Sequence, residues 1–254
     1  HTQRCYHAWR SDEEFVLAAI KGGFTKLGFS DHSCWKYDSD FVAHMRMPLS
    51  EFDDYYESIS NLREKYKDQI QIYIGLECEY FPKYMNWLKG FIKEKKLDYV
   101  ILGNHYDTTD ELQIYYGRVC NDDEEMIRYI DGCIEGMSTG IYSYLAHPDL
   151  FMRSREKFDD LARSESYRLC KWCKENHVLL EYNLEGARMG EKRNVVWYPH
   201  PEFWKIAAEV GNDVIIGIDA HHTSSLENNP YYDDAVETLK SLGMNIVTEI
   251  PLKW

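Results

Sequence analysis

Short apolar runs of strand length alternate with amphipathic stretches of helical period along almost the whole chain. This is the order expected of a parallel sheet whose strands are joined by crossover helices. Strands are predicted near 26–31, 70–78, 98–103, 142–146, 178–183, 213–219 and 245–250. The helices between them carry their own boundary signals. Ser11, with Glu14 three residues on, forms a capping box ahead of Phe15, Leu17, Ala18 and Ile20, and Gly22-Gly23 ends that helix. Similar signals open helices after Ser50 and after Asn121, where Asp122, Asp123 and Glu124 suit a helix N-terminus; further helices fit 83–95, 156–176, 201–210 and 231–242. The expected fold is an α/β barrel of seven or eight strand–helix units, an architecture that commonly fills about 250 residues as one domain. With 254 residues and no Pro/Gly/Ser-rich linker or repeat, the chain is read as a single domain over 1–254.

The polar residues that interrupt this pattern fall where the apolar runs stop. Ser30-Asp31-His32, Gly75-Leu76-Glu77, Gly103-Asn104-His105, Ala146-His147-Pro148-Asp149 and Asp219-Ala220-His221 each follow a predicted strand, and the chain opens on His1-Thr2-Gln3-Arg4-Cys5-Tyr6-His7. In a barrel the strand C-termini share one face, so residues remote in sequence converge there. Six of the ten histidines belong to these clusters. Imidazole and carboxylate are ligands suited to zinc, manganese or iron, and a carboxylate can bridge two ions where one imidazole nitrogen cannot. Glu77 is the natural bridge. Asp219 and His221, two apart on an extended segment, project to the same side, and His222 points away. His44, His177 and His200 read as ordinary loop and helix-flanking residues, and Glu79 shares a strand face with Glu77.

Composition narrows the partners. The formal charge is −14, with 43 acidic against 29 basic residues, a field that repels a long nucleic acid. A site holding divalent cations would invert that field locally and admit a small anion. Seven cysteines, an odd number without framework spacing, read as reduced thiols of a cytoplasmic protein, and Cys170-x-x-Cys173 falls within a helical pattern. No run approaches the roughly 18 apolar residues of a membrane span, so no membrane partner is expected.

Taken in order, His1-Thr2, Cys5-x-His7, Ser30-Asp31-His32, Gly75-x-Glu77-x-x-Tyr80, Leu102-Gly103-x-His105, Ala146-His147-Pro148-Asp149, Glu181-x-Asn183 and Asp219-x-His221 resemble the PHP (polymerase and histidinol phosphatase) family, and within it the bacterial histidinol-phosphate phosphatases. The resemblance implies a distorted (β/α)7 TIM-like barrel with three divalent ions, zinc, manganese or iron, at the strand C-termini. By similarity His1, Glu77 and Asp219 hold the first, Glu77, His105 and His147 the second, and His7, His32 and His221 the third. The family's first motif is His-x-His, so its first histidine would lie two residues before His1. The chain is therefore expected to be truncated ahead of residue 1, without that ligand and most of a first strand. Ala8 stands where the family often has glycine.

The implied activity is hydrolysis of a small phosphomonoester, L-histidinol phosphate first among them, as in histidine biosynthesis. Closely spaced ions lower the pKa of a shared water and supply hydroxide in line with the scissile bond. Glu77 and Asp219 carry the metal chemistry. Arg188, in an Asn183–Arg188 segment resembling a family loop that reaches the phosphate, supplies the guanidinium fork, with Arg118 and Arg153 as weaker candidates. Asp31 and Asp149, each beside a ligand histidine, either orient an imidazole or cap a loop. Trp35, Tyr37, Phe41, Tyr115 and Tyr116 either line a substrate pocket or pack. The alternatives are a phosphodiesterase or nuclease of the PHP type, a metal-bound scaffold without turnover, and an amidohydrolase, for which the strand-end lysine is missing. Metal identity, substrate, general acid and oligomeric state are not specified by the sequence.

Overall fold

A computed structural model of the chain describes residues 1–253. Six parallel strands occur among the described residues: β1 (Lys26–His32), β2 (Gln71–Cys78), β3 (Tyr99–Leu102), β4 (Leu180–Asn183), β5 (Asp213–Gly217) and β6 (Asn245–Ile246). They form two three-stranded sheets, β1-β2-β3 and β4-β5-β6. Helices intervene between successive strands, as the alternating pattern requires of parallel neighbours. The capping box at Ser11 and Glu14 is present and starts the helix Asp12–Lys21.

Two expectations about elements are corrected. The strand predicted over 142–146 shrinks to bridges at Leu145, which pairs with Leu102 on one side and Leu180 on the other. Ala146 N donates to Leu102 O at 2.9 Å and Glu181 N to Leu145 O at 2.9 Å, so this short segment links the two sheets into one parallel array. It cannot extend further because the backbone turns into the left-handed region at His147, with φ 31°. The segment Asn183–Arg188, expected as a loop, is instead the start of the helix Leu184–Arg193, whose first turn is capped by Asn183 Oδ1 accepting from Gly186 N at 2.8 Å.

Among the described residues the expected closed barrel of seven or eight units is not found. β6 has two residues and no ladder joins it to β1; a Lys26–Glu249 ion pair spans the interval. The outer edge of β1 and the segments 215–220 and 246–250 border a cavity of about 520 Å³ running into the interior of the array. Beside that cavity Tyr99 is set against glycines of the sheet. The Tyr99 ring lies across Gly28 and Gly75 of the neighbouring strands, and its hydroxyl donates to Phe29 O at 2.9 Å. All seven cysteines are buried and free, which places Cys170 and Cys173 as plain packing residues of the helix Asp160–Glu175. Among the described residues no helix is long and apolar enough to cross a membrane.

A Cβ at Gly75 would sit 2.6 Å from Tyr99 ring atoms, with the ring tethered by its hydroxyl. Gly75→Ala is therefore expected to cost about 1–3 kcal/mol through overpacking. A urea midpoint lowered at unchanged m-value would show it, and an unshifted midpoint would refute this account of the interior.

Candidate metal centre

The strand ends deliver side chains to one point. His32 ends β1, Glu77 stands one residue before the end of β2, His105 follows β3, His147 follows the Leu145 bridge, and Asp219 and His221 follow β5. His1 and His7 come from the N-terminal segment, which lies between Asp31 and Ala220-His221. Between the two histidines Gln3–Cys5 makes a single turn capped by Thr2, and Tyr6 adopts φ 63°, which reverses the chain and returns His7 to within 6.2 Å of the His1 ring. Thr2 N donates to Asp31 Oδ1 at 3.1 Å, and Trp9 N to His221 O at 3.2 Å, fastening this segment to both rims.

Glu77 is the hub. Its Oε1 lies 2.9 Å from His147 Nε2 and 3.3 Å from His105 Nε2; its Oε2 lies 3.1 Å from His32 Nδ1 and 3.5 Å from His1 Nε2. Four imidazoles thus face one buried carboxylate. The position is open because residue 103 is glycine: a Cβ there would stand 2.1 Å from Glu77 Oε1. Asp219 Oδ1 meets His1 Nε2 at 2.9 Å, and Asn183 Nδ2 donates to Asp219 Oδ2 at 3.2 Å. Both His147 and Asp219 are non-glycine residues in the left-handed region, φ 31° and 51°, a cost tolerated mainly where a side chain must be aimed.

All eight residues singled out as ligands are brought together. Glu77, His105 and His147 present ligand atoms within 4.8 Å of one another, as do His1, His32 and His221. Neither of the other two implied trios forms such a group: His1 Nε2 lies 3.5 Å from Glu77 Oε2 and 2.9 Å from Asp219 Oδ1, and the His32 ring lies 5.4 Å from that of His7, which stacks on His221 at 4.7 Å. Cys5 Sγ joins His7 and His221 in a further such group. The donor set fits divalent ions on two counts. It is imidazole and carboxylate throughout, with one thiol, and His147 Nδ1 and His221 Nε2 are buried without a hydrogen-bond partner, where buried polar atoms are normally satisfied.

Electrostatics follow from the same packing. Burial would raise the Glu77 carboxyl, but His105 and His32 hold it well below the usual carboxylate range. Burial likewise opposes a charge on His105, yet Glu77 and Glu79 push it up to about 10. His32, buried and close to the cationic His1, is pushed down to about 4 against the pull of Glu77, and His221 is pushed down to about 3 by burial and His1.

The neighbouring residues divide. Asp31 Oδ1 lies 3.2 Å from His1 Nδ1 and orients that ring. Asp149 bonds no ligand imidazole; it accepts from His200 N at 2.6 Å, and burial raises its carboxyl to about 7. Glu181 supports the site from beneath, accepting from His147 N at 2.9 Å and from Asn183 Nδ2 at 3.0 Å. A cavity of about 420 Å³ opens above the ligands, with Met45, Tyr106, Arg153, Arg188, Lys192 and Trp197 in its walls. Arg188 is held there by Glu185, with Nε 2.7 Å from Oε2. Arg153 lies over the Tyr115 and Trp197 rings, whereas Arg118 packs on Tyr115 and is absent from the walls. Tyr115 lines the cavity; Trp35 and Tyr116 are buried in the core. His222, expected to point away, lines it too. Lys192, Trp197 and the buried Arg46 escaped notice in the sequence, where no spacing or motif marks them.

The comparisons with known proteins agree with this geometry. A protein of Deinococcus radiodurans named "Probable histidinol-phosphatase" is 27% identical, with 98% of this chain and 94% of its own length aligned. The histidinol-phosphatase of Bacillus subtilis is 24% identical over 89% of this chain and 93% of its own. The crystal structure of histidinol phosphate phosphatase from Lactococcus lactis, complexed with zinc, L-histidinol and phosphate, matches with a TM-score of 0.71 at 19% identity, covering 99% of this chain and 96% of that one. At that identity the likeness is one of fold. The PHP domain family model matches residues 1–185, the stretch that supplies six of the eight convergent side chains. On that match the chain belongs to the PHP domain family.

Proposed function

We propose that the chain is a metal-dependent phosphatase of small phosphomonoesters, with L-histidinol phosphate, the substrate of a histidine-biosynthetic step, as the compound to test first. The observation that carries this reading is Glu77, whose two oxygens face four imidazoles within 3.5 Å. The relatives named histidinol-phosphatase, aligned over nearly their full length, support the substrate class. The frame is read as a distorted (β/α)7 barrel over residues 1–254 that stays open between β6 and β1, a reading supported by the Leu145 bridges that make one parallel array of two sheets. The seven free cysteines support a cytoplasmic setting.

His1, Glu77 and Asp219 would hold one ion, Glu77, His105 and His147 a second, and His7, His32 and His221 a third. Divalent ions held there would acidify a water and offset the charge of the phosphoryl oxygens. The chain's own groups do the rest. Arg188 and Arg153 flank the cavity above the ligands and bind the phosphoryl oxygens, Arg188 turning from Glu185 to do so. The Tyr115 and Trp197 rings, 5.3 and 5.5 Å from the guanidinium, keep Arg153 at the wall. The oxygen of water adds to phosphorus as the ester P–O bond breaks, leaving inorganic phosphate and an alcohol that takes up the proton.

With manganese or zinc, the purified protein is expected to release phosphate from L-histidinol phosphate. Glu77→Ala should lower kcat/KM by more than the roughly 100-fold typical of an outer-sphere change. Undiminished turnover by a variant with native circular dichroism would exclude Glu77 as the shared ligand.

Arg188→Lys keeps the charge and loses the fork. A charge-assisted bond is worth about 1.5–3 kcal/mol, so kcat/KM should fall roughly 10- to 100-fold, with weaker inhibition by inorganic phosphate. Kinetics equal to the parent protein would remove Arg188 from the phosphate site.

Metal binding must displace the proton that Glu77 and Glu79 hold on His105, whose pKa is raised to about 10. Zinc affinity measured against a chelator should therefore climb between about pH 6 and pH 9 and collapse on acidification. A flat profile would contradict coordination by His105.

A further inference from the structure

Glu79 lies one residue past β2, fully buried, and uses both carboxylate oxygens. Oε1 accepts from Arg46 Nη2 at 2.7 Å and lies 3.0 Å from His105 Nδ1. Oε2 accepts from Arg46 Nη1 and from Trp35 Nε1, each at 2.9 Å. Arg46 is itself 3% exposed, donates to Ser33 O at 3.2 Å, and pairs through Nε with Asp110 Oδ2 at 3.0 Å. Trp35 and Arg46 stand near the two ends of the segment 33–47, whose middle, including Val42 at 68% exposure, is open to solvent.

Burying a guanidinium and a carboxylate is expensive even when they pair, and an apolar pair would serve packing at least as well. What an apolar pair would not do is hold a histidine. His105 has one nitrogen on each carboxylate, Nδ1 towards Glu79 and Nε2 towards Glu77. A carboxylate at Nδ1 fixes that proton and turns the Nε2 lone pair to the centre, the arrangement by which an outer carboxylate orients a ligand histidine.

We propose that Glu79 and Arg46 are positioning residues for the metal centre: Glu79 sets the tautomer and angle of His105, and Arg46 fixes Glu79 in the rotamer that does so. One carboxylate then anchors both ends of the segment 33–47, which brings Met45 and Arg46 to the cavity wall, and orients a ligand beneath it. The assignment rests on the reading of His105 as a metal ligand.

The test compares metal loading with fold. Glu79→Gln keeps the volume and leaves Arg46 paired with Asp110, while its amide cannot satisfy both Arg46 and His105; Arg46→Lys keeps a charge and loses the fork. Zinc per chain and zinc affinity would be measured by elemental analysis and chelator competition, and the His105 Nδ1–H resonance, assigned by its loss in His105→Ala, by long-range proton–nitrogen NMR of the zinc-loaded protein. We expect one zinc of the bound set to weaken by about 10- to 100-fold in Glu79→Gln, with loss of that resonance, and a smaller effect in Arg46→Lys. Lowered melting midpoints with unchanged zinc affinity and an unchanged resonance would overturn the assignment and leave a structural ion pair. If His105→Ala itself loses no zinc, the ligand reading of His105 fails first, and the assignment with it.

Discussion

A carboxylate taken out of water must be paired, and at Glu77 every partner in reach is an imidazole. The rest of the structure can be read as what that requirement demands. The parallel sheet β1-β2-β3 brings His32 and Glu77 side by side in register, where β1 pairs with β2. Gly103 leaves the space that Glu77 Oε1 fills, and His147 and Asp219 accept unfavourable backbone angles to aim inward. Asp31, Glu79 and Glu181 then brace the cluster from outside, at His1, His105 and the His147 backbone.

The acidity of the chain takes on a specific meaning in this light. Glu77, Asp219, Asp31 and Glu181 are all buried or nearly so within or just below the cluster, an arrangement that histidine protons alone balance poorly. The unsatisfied atoms His147 Nδ1 and His221 Nε2 express the same imbalance geometrically. Cations at the centre would resolve both. Above it the sign changes, since Arg153, Arg188 and Lys192 stand in the cavity wall, where an anionic substrate would enter.

Much of the centre was legible in the sequence because ligands at strand ends leave a repeated mark, an apolar run stopped by histidine or carboxylate. All eight ligand candidates could be read this way, through the clusters or the family motifs they form. What could not be read depends on long-range geometry. The segment around Leu145 is apolar enough for a strand, but the turn at His147 that aims the ligand also cuts the ladder short. Asn183 sits in a polar stretch that looks like a loop until its side chain is seen capping a helix. Arg46, in a loop rich in charged and aromatic residues, gives no sign that it is buried against Glu79. Asp149 carries the same local signature as Asp31, and only the fold decides that one faces an imidazole and the other a backbone amide. Closure of the array was likewise an expectation of the strand count, and the interval between β1 and β6 answers it differently.

The central claim is that the cluster around Glu77 is a shared-carboxylate metal centre and not a self-sufficient network of imidazole–carboxylate bonds. Anomalous diffraction at the zinc edge, from crystals of the zinc-loaded protein, tests it most directly. The account predicts ions on both sides of Glu77, one bound with His105 and His147 and another with His1 and Asp219, each carboxylate oxygen within bonding distance of an ion. Zinc absent from Glu77, with the imidazole contacts to its two oxygens intact, would contradict it.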